Sequence, residues 1–244
     1  MFNLKKIKTL LLALLGLVSA GYSMSAPDVL ERLRVATTAK DRRVKAIMTI
    51  TDRKRVQKRT LRLVMKGTDK LLVTFIEPAD LRGVSFLTTG RDNMWVYLPA
   101  QGRVRRISGS AVDQSFGGSD FSYREMASIS FGSSRATGAV EEKEWNGTMV
   151  YLINIEDGGE KSRLWVDRER FVPLRVDKLD QHGNVLKLIT FSDFLEQDGV
   201  WIPQTVCLDN ISRGSSTELK LLEVNLNTGI KDNYFTEDNM KRGG

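Results

Sequence analysis

Few residues in this chain are of the kinds that attack, protonate or ligate. There is one histidine, His182, and one cysteine, Cys207. A hydrolase or transferase needs a nucleophile, a base and a group that orients the base. His182 sits beside Gly183 among turn residues and reads as an exposed turn position, not a general base. Cys207 falls within the apparent strand Thr205 to Leu208, where a buried structural thiol is expected. A zinc site takes several His or Cys ligands, which two such residues cannot supply. No Gly-x-Ser-x-Gly elbow, phosphate-cradling loop or dinucleotide fingerprint occurs. The paired acids Glu141–Glu142 and Glu237–Asp238 lie in polar stretches and read as solvated surface. Asp120, in a Gly- and Ser-rich stretch, is the one acid in a distinctive setting. Helix capping accounts for it ahead of a calcium ligand. No catalytic residue, metal or cofactor is expected, and the chain reads as a non-enzyme.

The basic clusters are Arg42–Arg43, Arg53–Lys54–Arg55, Lys58–Arg59 and Arg103 through Arg106. Nucleic-acid binding would want them interleaved with exposed aromatics on one surface. They are read instead as solvated strand ends and turns, with contact to lipid headgroups or an acidic partner as the functional alternative. Nucleic acid is not expected as a partner.

The surrounding elements are mostly strands. Leu61, Leu63 and Met65 alternate with Thr60, Arg62, Val64 and Lys66, giving one apolar and one mostly polar face. The same alternation places Leu164 and Val166 against Arg163 and Asp167, and Leu174 and Val176 against Arg175 and Asp177. It recurs at Leu219 and Leu221. Leu71 to Ile76 and Val185 to Phe191 are apolar or mixed on both faces and should lie deeper. Turn signals separate the runs, sharpest at Asn146–Gly147, where both residues tolerate the positive φ of a two-residue hairpin. Short hairpins imply an antiparallel sheet, and nothing suggests βαβ units. The fold class is mainly β, with the mature chain, 21–244, as one domain.

Two helices are expected. Ser25-Ala26-Pro27-Asp28 combines a capping serine, an early proline and an acid beside the positive helix end, so a helix should run from about Pro27 to Thr38. Within the stretch from about Ser108 to Thr137, Ser122 and Glu125 form a capping box that should open a short helix. Phe121, Tyr123 and Met126 would press this segment onto the sheet.

The first residues read as a cleaved export signal. Lys5, Lys6 and Lys8 precede an apolar run from Leu10 to Val18, then Val18-Ser19-Ala20 offers small residues at −3 and −1. That run is well short of the roughly 20 residues of a membrane span. Residues 1–20 are thus expected to be removed, leaving a soluble periplasmic protein. Losing the three lysines lowers the formal charge from +7 to +4. With one cysteine there can be no internal disulfide, so the exported domain must rely on its packed core.

Several segments together resemble a family. Glu77-Pro78-Ala79-Asp80-Leu81-Arg82-Gly83-Val84-Ser85-Phe86-Leu87, Met94-Trp95-Val96-Tyr97-Leu98-Pro99 and the Phe116 to Met126 motif are similar to the LolA-like outer-membrane lipoprotein-sorting proteins. Leu164-Trp165-Val166-Asp167, Pro173-Leu174 and Trp201-Ile202-Pro203 continue the pattern in order. The resemblance implies a half-open β-barrel whose mouth is covered by helices, enclosing an apolar cavity for acyl chains. It implies a periplasmic carrier that takes a lipoprotein or phospholipid at the inner membrane and delivers it to an outer-membrane acceptor. The chain is longer than the LolA carrier proper, and its Phe116 to Met126 segment looks like that of a side branch linked to exporters of the resistance-nodulation-division type. The cavity residues so implied are Leu61, Leu63, Met65, Val73, Phe75, Leu164, Val166, Leu174 and Val176. The cover would comprise Phe116, Asp120, Phe121, Tyr123 and Met126. Alternation alone does not separate such a pocket from a filled core. The competing function is a lipid- or lipoprotein-sensing module that regulates a membrane signalling or exporter partner.

Overall fold

The computed structural model describes residues 24–53, 55–90 and 92–243; the leader expected over 1–20 lies outside them. The first helix, α1 (Ala26–Thr37), begins where the sequence places it. Ser25 accepts from the Asp28 backbone N–H, and the Asp28 carboxylate accepts in return from the Ser25 backbone. Two orphan donors of the first turn are thereby satisfied. Val29, Leu30 and Leu33, three and four residues apart, face inward and are almost fully buried.

Thirteen strands follow among the described residues, all antiparallel to their neighbours in one curved sheet that does not close into a barrel. The first six are β1 (Asp41–Asp52), β2 (Arg55–Lys66), β3 (Lys70–Glu77), β4 (Ser85–Thr89), β5 (Met94–Leu98) and β6 (Arg103–Ile107). The rest are β7 (Arg135–Trp145), β8 (Thr148–Asp157), β9 (Glu160–Asp167), β10 (Pro173–Leu179), β11 (Val185–Gln197), β12 (Val200–Asn210) and β13 (Ser215–Leu226). Tight turns force each strand back along the one before. At Asn146–Gly147 both residues take positive φ, 49° and 77°, as a tight hairpin between β7 and β8 requires. The spatial order is β6-β5-β4-β3-β2-β1-β13-β12-β11-β10-β9-β8-β7.

This order has one consequence for function. β6 and β7 are consecutive in sequence yet form the two opposite edges of the sheet. The connection between them must therefore cross the open face. It carries the short helix α2 (Tyr123–Ala127), capped by Ser122 and Glu125 as its capping box predicts.

The main apolar cluster lies on this inner face, beneath α1 and the crossing segment. The outer face is also partly covered. Ile230, Phe235 and Met240, the last from α3 (Glu237–Lys241), pack on Val64 and Leu72 of β2 and β3. Asp41 fixes the start of this tail, accepting from the backbone N–H groups of Thr228 at 2.7 Å, Gly229 at 3.0 Å and Ile230 at 3.1 Å. A separate outer cluster gathers Trp145, Trp165, Phe194 and Trp201 around Val150, Leu152 and Val172.

Candidate lipid-binding cavity

The crossing segment is held down at its middle by Asp120. This buried carboxylate accepts from Thr217 Oγ1 at 2.9 Å and from Ser215 Oγ, both on β13, and from Asn210 Nδ2 on β12 at 3.3 Å. The Asp120 backbone N–H donates back to Thr217 Oγ1 at 3.0 Å. Helix capping, the role its sequence setting suggests, is performed by Ser122 instead; Asp120 is a pin between the cover and the centre of the sheet. Lys187 on β11 adds a second attachment, donating to the Asp120 carbonyl and the Glu125 carboxylate, each at 2.8 Å.

Aromatic packing fixes the leading part of the cover. Phe116 stacks on Phe75 at 5.5 Å and meets Phe86 edge-on at 5.6 Å, while Tyr123 leans on Phe86 at 5.3 Å. Gly117 is required here: at φ 54°, an added Cβ would lie 2.6 Å from Phe75 Cζ. Phe121 and Met126 are buried in the same cluster.

The trailing part, 128–134, is attached differently. The Arg34 guanidinium of α1 donates to the carbonyls of Phe131, Gly132 and Ser134. Ser130 Oγ donates to the Thr68 carbonyl at 2.6 Å, and Ser133 Oγ to Asp157 at 2.8 Å. Under this part the packing is incomplete. Two apolar lobes of about 50 and 80 Å³ lie side by side and share Ile129, Phe131, Phe191 and Val206 as lining. Phe131 from the cover and Phe191 from β11 stand 6.2 Å apart and partition them. Phe131 holds a φ of 56°, a region that bulky side chains seldom occupy.

The residues expected from the sequence to line a pocket divide into three groups. Leu63 and Met65 border the larger lobe, and Val176 and Phe121 border the smaller. Leu61, Val73, Phe75, Leu164 and Val166 belong to the same inner cluster but sit in filled core, without bordering either lobe. Leu174 does not join them. It packs on the outer face against Trp165 and Val172, because the β9–β10 register shifts between Pro173 and Arg175. A bulge breaks the period-two rule, so Leu174 and Val176 face opposite ways. The alternation that groups the pair is blind to that extra residue. Ile129, Phe131, Phe191, Val206 and Leu219 were not among the expected lining. Phe191 ends a run with apolar residues in both phases, which gives no signal for its facing.

The class these features define is a LolA-like half-barrel: an open antiparallel sheet whose concavity is closed by a helix and a crossing loop over apolar space. A family model described as "Uncharacterized protein" matches residues 67–242, and the chain belongs to that family. Its architecture is that of the LolA superfamily. A candidate outer membrane lipoprotein-sorting domain from Vibrio parahaemolyticus is 27% identical, with a TM-score of 0.80 over 89% of this chain and 98% of that one. A DUF1329 family protein from Desulfovibrio piger is 26% identical, with a TM-score of 0.79 over 88% and 97% of the two chains. A LolA superfamily protein from Nitrosomonas europaea, 19% identical, shares the fold at a TM-score of 0.75 over 89% and 100%. No curated protein matches.

Proposed function

We propose that this protein is a periplasmic carrier that shelters acyl chains of a lipoprotein or phospholipid between its sheet and its cover, and moves them toward the outer membrane. The supporting observation is the two-lobed apolar space under 128–134, bounded by a segment that polar bonds from Arg34 and Ser130 help to hold in place. The likeness to a lipoprotein-sorting domain supports the same reading.

The energetics suit reversible carriage. Each buried methylene contributes roughly 0.8 kcal/mol, so a long acyl chain leaves water spontaneously for such a space. Lobes of about 50 and 80 Å³ are smaller than the about 150 Å³ that admits a benzene and far below the about 300 Å³ of small ligand pockets. Cargo must therefore displace the cover. Displacement costs the Arg34, Ser130 and Ser133 bonds, and that cost is recovered when cargo leaves. A carrier built in this way holds lipid less tightly than its gross apolar contact would allow, which favours release to an acceptor. Transfer asks for no catalytic group, only an acceptor in which the lipid has lower free energy. An inner-membrane exporter as donor and an outer-membrane acceptor complete the proposal.

Native mass spectrometry with lipid extraction, on protein purified from the periplasm, tests it. Co-purified phospholipid or acylated peptide is the expected result. A protein that is lipid-free, and that takes up no acyl probe after incubation with membranes, would overturn the reading.

A further inference from the structure

The larger lobe contains a charge without a counter-charge. Arg42 is the second residue of β1, on the same face as Val44, Ala46 and Met48, which are buried in the inner cluster. It lies opposite Met65 of β2 and Leu226 of β13. Arg42 borders the lobe together with Val44, Leu63, Leu219 and Leu221. Among the described residues that line this lobe there is no aspartate or glutamate. Several half-buried cations of the molecule are matched by acids, Lys187 by Glu125, Arg175 and Arg163 by Asp177, Arg170 by Asp167, while buried Arg59 donates to Gln57 and stands over the Phe75 ring, outside this lobe. Among the described residues, Arg42 has the Thr37 carbonyl at the end of α1, which its Nη2 meets at 2.6 Å, and no acidic partner.

That bond does not use up the group. A guanidinium carries five N–H donors, and a helix end presents roughly half an elementary negative charge. Burial disfavours the charged form of Arg42, with no acidic neighbour acting in the other direction. Placing a cation at the wall of an apolar space is costly unless something of opposite charge enters beside it. An acyl chain in the lobe would run past Leu63, Val206 and Leu219 and bring its head to Arg42.

Resting on the carrier reading, we infer that the cargo is anionic: an acyl chain whose head carries phosphate or carboxylate oxygens, which Arg42 binds by charge-assisted hydrogen bonds. The guanidinium fork suits either group, since both offer paired oxygens.

The test compares lipids of one chain length on the purified protein at neutral pH. Palmitate and palmitoyl lysophosphatidic acid are the anionic probes; hexadecanol and monopalmitoylglycerol are the neutral ones. The expected result is binding of the anionic probes about tenfold tighter or more, consistent with a hydrogen bond to a charged group. Arg42→Gln should bring the anionic-to-neutral ratio close to one, and Arg42→Lys, which keeps the charge but loses the fork, should leave an intermediate ratio. The lysine variant serves alone if circular dichroism finds the glutamine variant unfolded. Equal binding of charged and neutral probes by the wild type would overturn the inference while leaving the carrier reading in place. So would an anionic preference that survives Arg42→Gln. Inorganic phosphate that fully displaces lysophosphatidic acid at millimolar concentration would reassign Arg42 to free anions and overturn it as well. Absence of binding by all four lipids would bring down the carrier reading itself.

Discussion

Phe131 and Phe191 face each other with ring centroids 6.2 Å apart, one borne by the cover and the other by β11, and together they divide the apolar space beneath the cover in two. The partition lies between elements that only the crossing connection can bring together, since β6 and β7 occupy opposite edges of the sheet. Its position makes it the natural place to alter capacity without touching the sheet.

Phe131→Ala should merge the lobes. Removing a largely buried phenyl costs about 3 kcal/mol of stability, less whatever collapse recovers. Fluorescent acyl probes should bind the variant more tightly, or in longer-chain form, although its denaturation midpoint falls. Equal or weaker probe binding by a folded variant would remove the partition from the account.

The three carbonyls held by Arg34 lead to a kinetic expectation. Arg34→Gln weakens the attachment of 128–134 to α1 but leaves the lining intact. Stopped-flow mixing with a fluorescent fatty acid should give faster uptake and faster release, by about tenfold if about 1.4 kcal/mol of latch is lost. Unchanged rates would mean that lipid enters by another route.

Asp120→Ala should loosen the whole crossing segment. The substitution strands Thr217, Ser215 and Asn210 without their shared acceptor, for a loss of about 3 kcal/mol. Limited proteolysis should then cut within 108–134 faster than it does in the wild type. Asp120→Asn keeps an acceptor and should fall between the two.

Asp41 and Asp232 set an acid limit on the tail that covers the outer face. Burial alone would raise the Asp41 pKa, but bonds from Thr228, Ile230 and Gly229 outweigh it and hold the carboxyl below the ordinary 3.8. Asp232, hydrogen-bonded to Lys66 and Lys70, is lowered from 3.8 to about 2. Both groups hold fewer protons folded than unfolded, so their contribution is complete above pH 3.8 and is lost as pH falls toward about 2. Hydrogen-exchange protection at Ile230 and Phe235, after correction for the intrinsic pH dependence of amide exchange, should fall below about pH 4 and be flat from about pH 5 to 8. A loss of protection on raising the pH through neutrality would contradict the assignment.

Much of the fold was legible because its determinants are local. Ser25 and Asp28 at α1, Ser122 and Glu125 at α2, and Asn146–Gly147 between β7 and β8 each act within a few residues, and each element stands where its signal falls. The site was legible only in part because its determinants are not. Whether Leu63 borders empty space while Leu61 sits in filled core depends on what the cover brings over them, about 70 residues later in the chain. Leu174 shows the other failure: a single bulge between Pro173 and Arg175 turns it to the outer face, and no residue type nearby signals it. Asp120 stands out in the sequence, but its partners on β12 and β13 lie 90 and more residues away, so its chemistry as a pin could not be read locally.

The most direct measurement of the central claim is photolabelling with palmitate that carries a diazirine on its chain, followed by peptide mapping. Lipid bound between cover and sheet predicts adducts on Ile129, Phe131, Phe191, Val206 and Leu219, competed away by unlabelled palmitate. Adducts confined to the outer cluster around Trp145 and Trp201, or none above a denatured control, would contradict it.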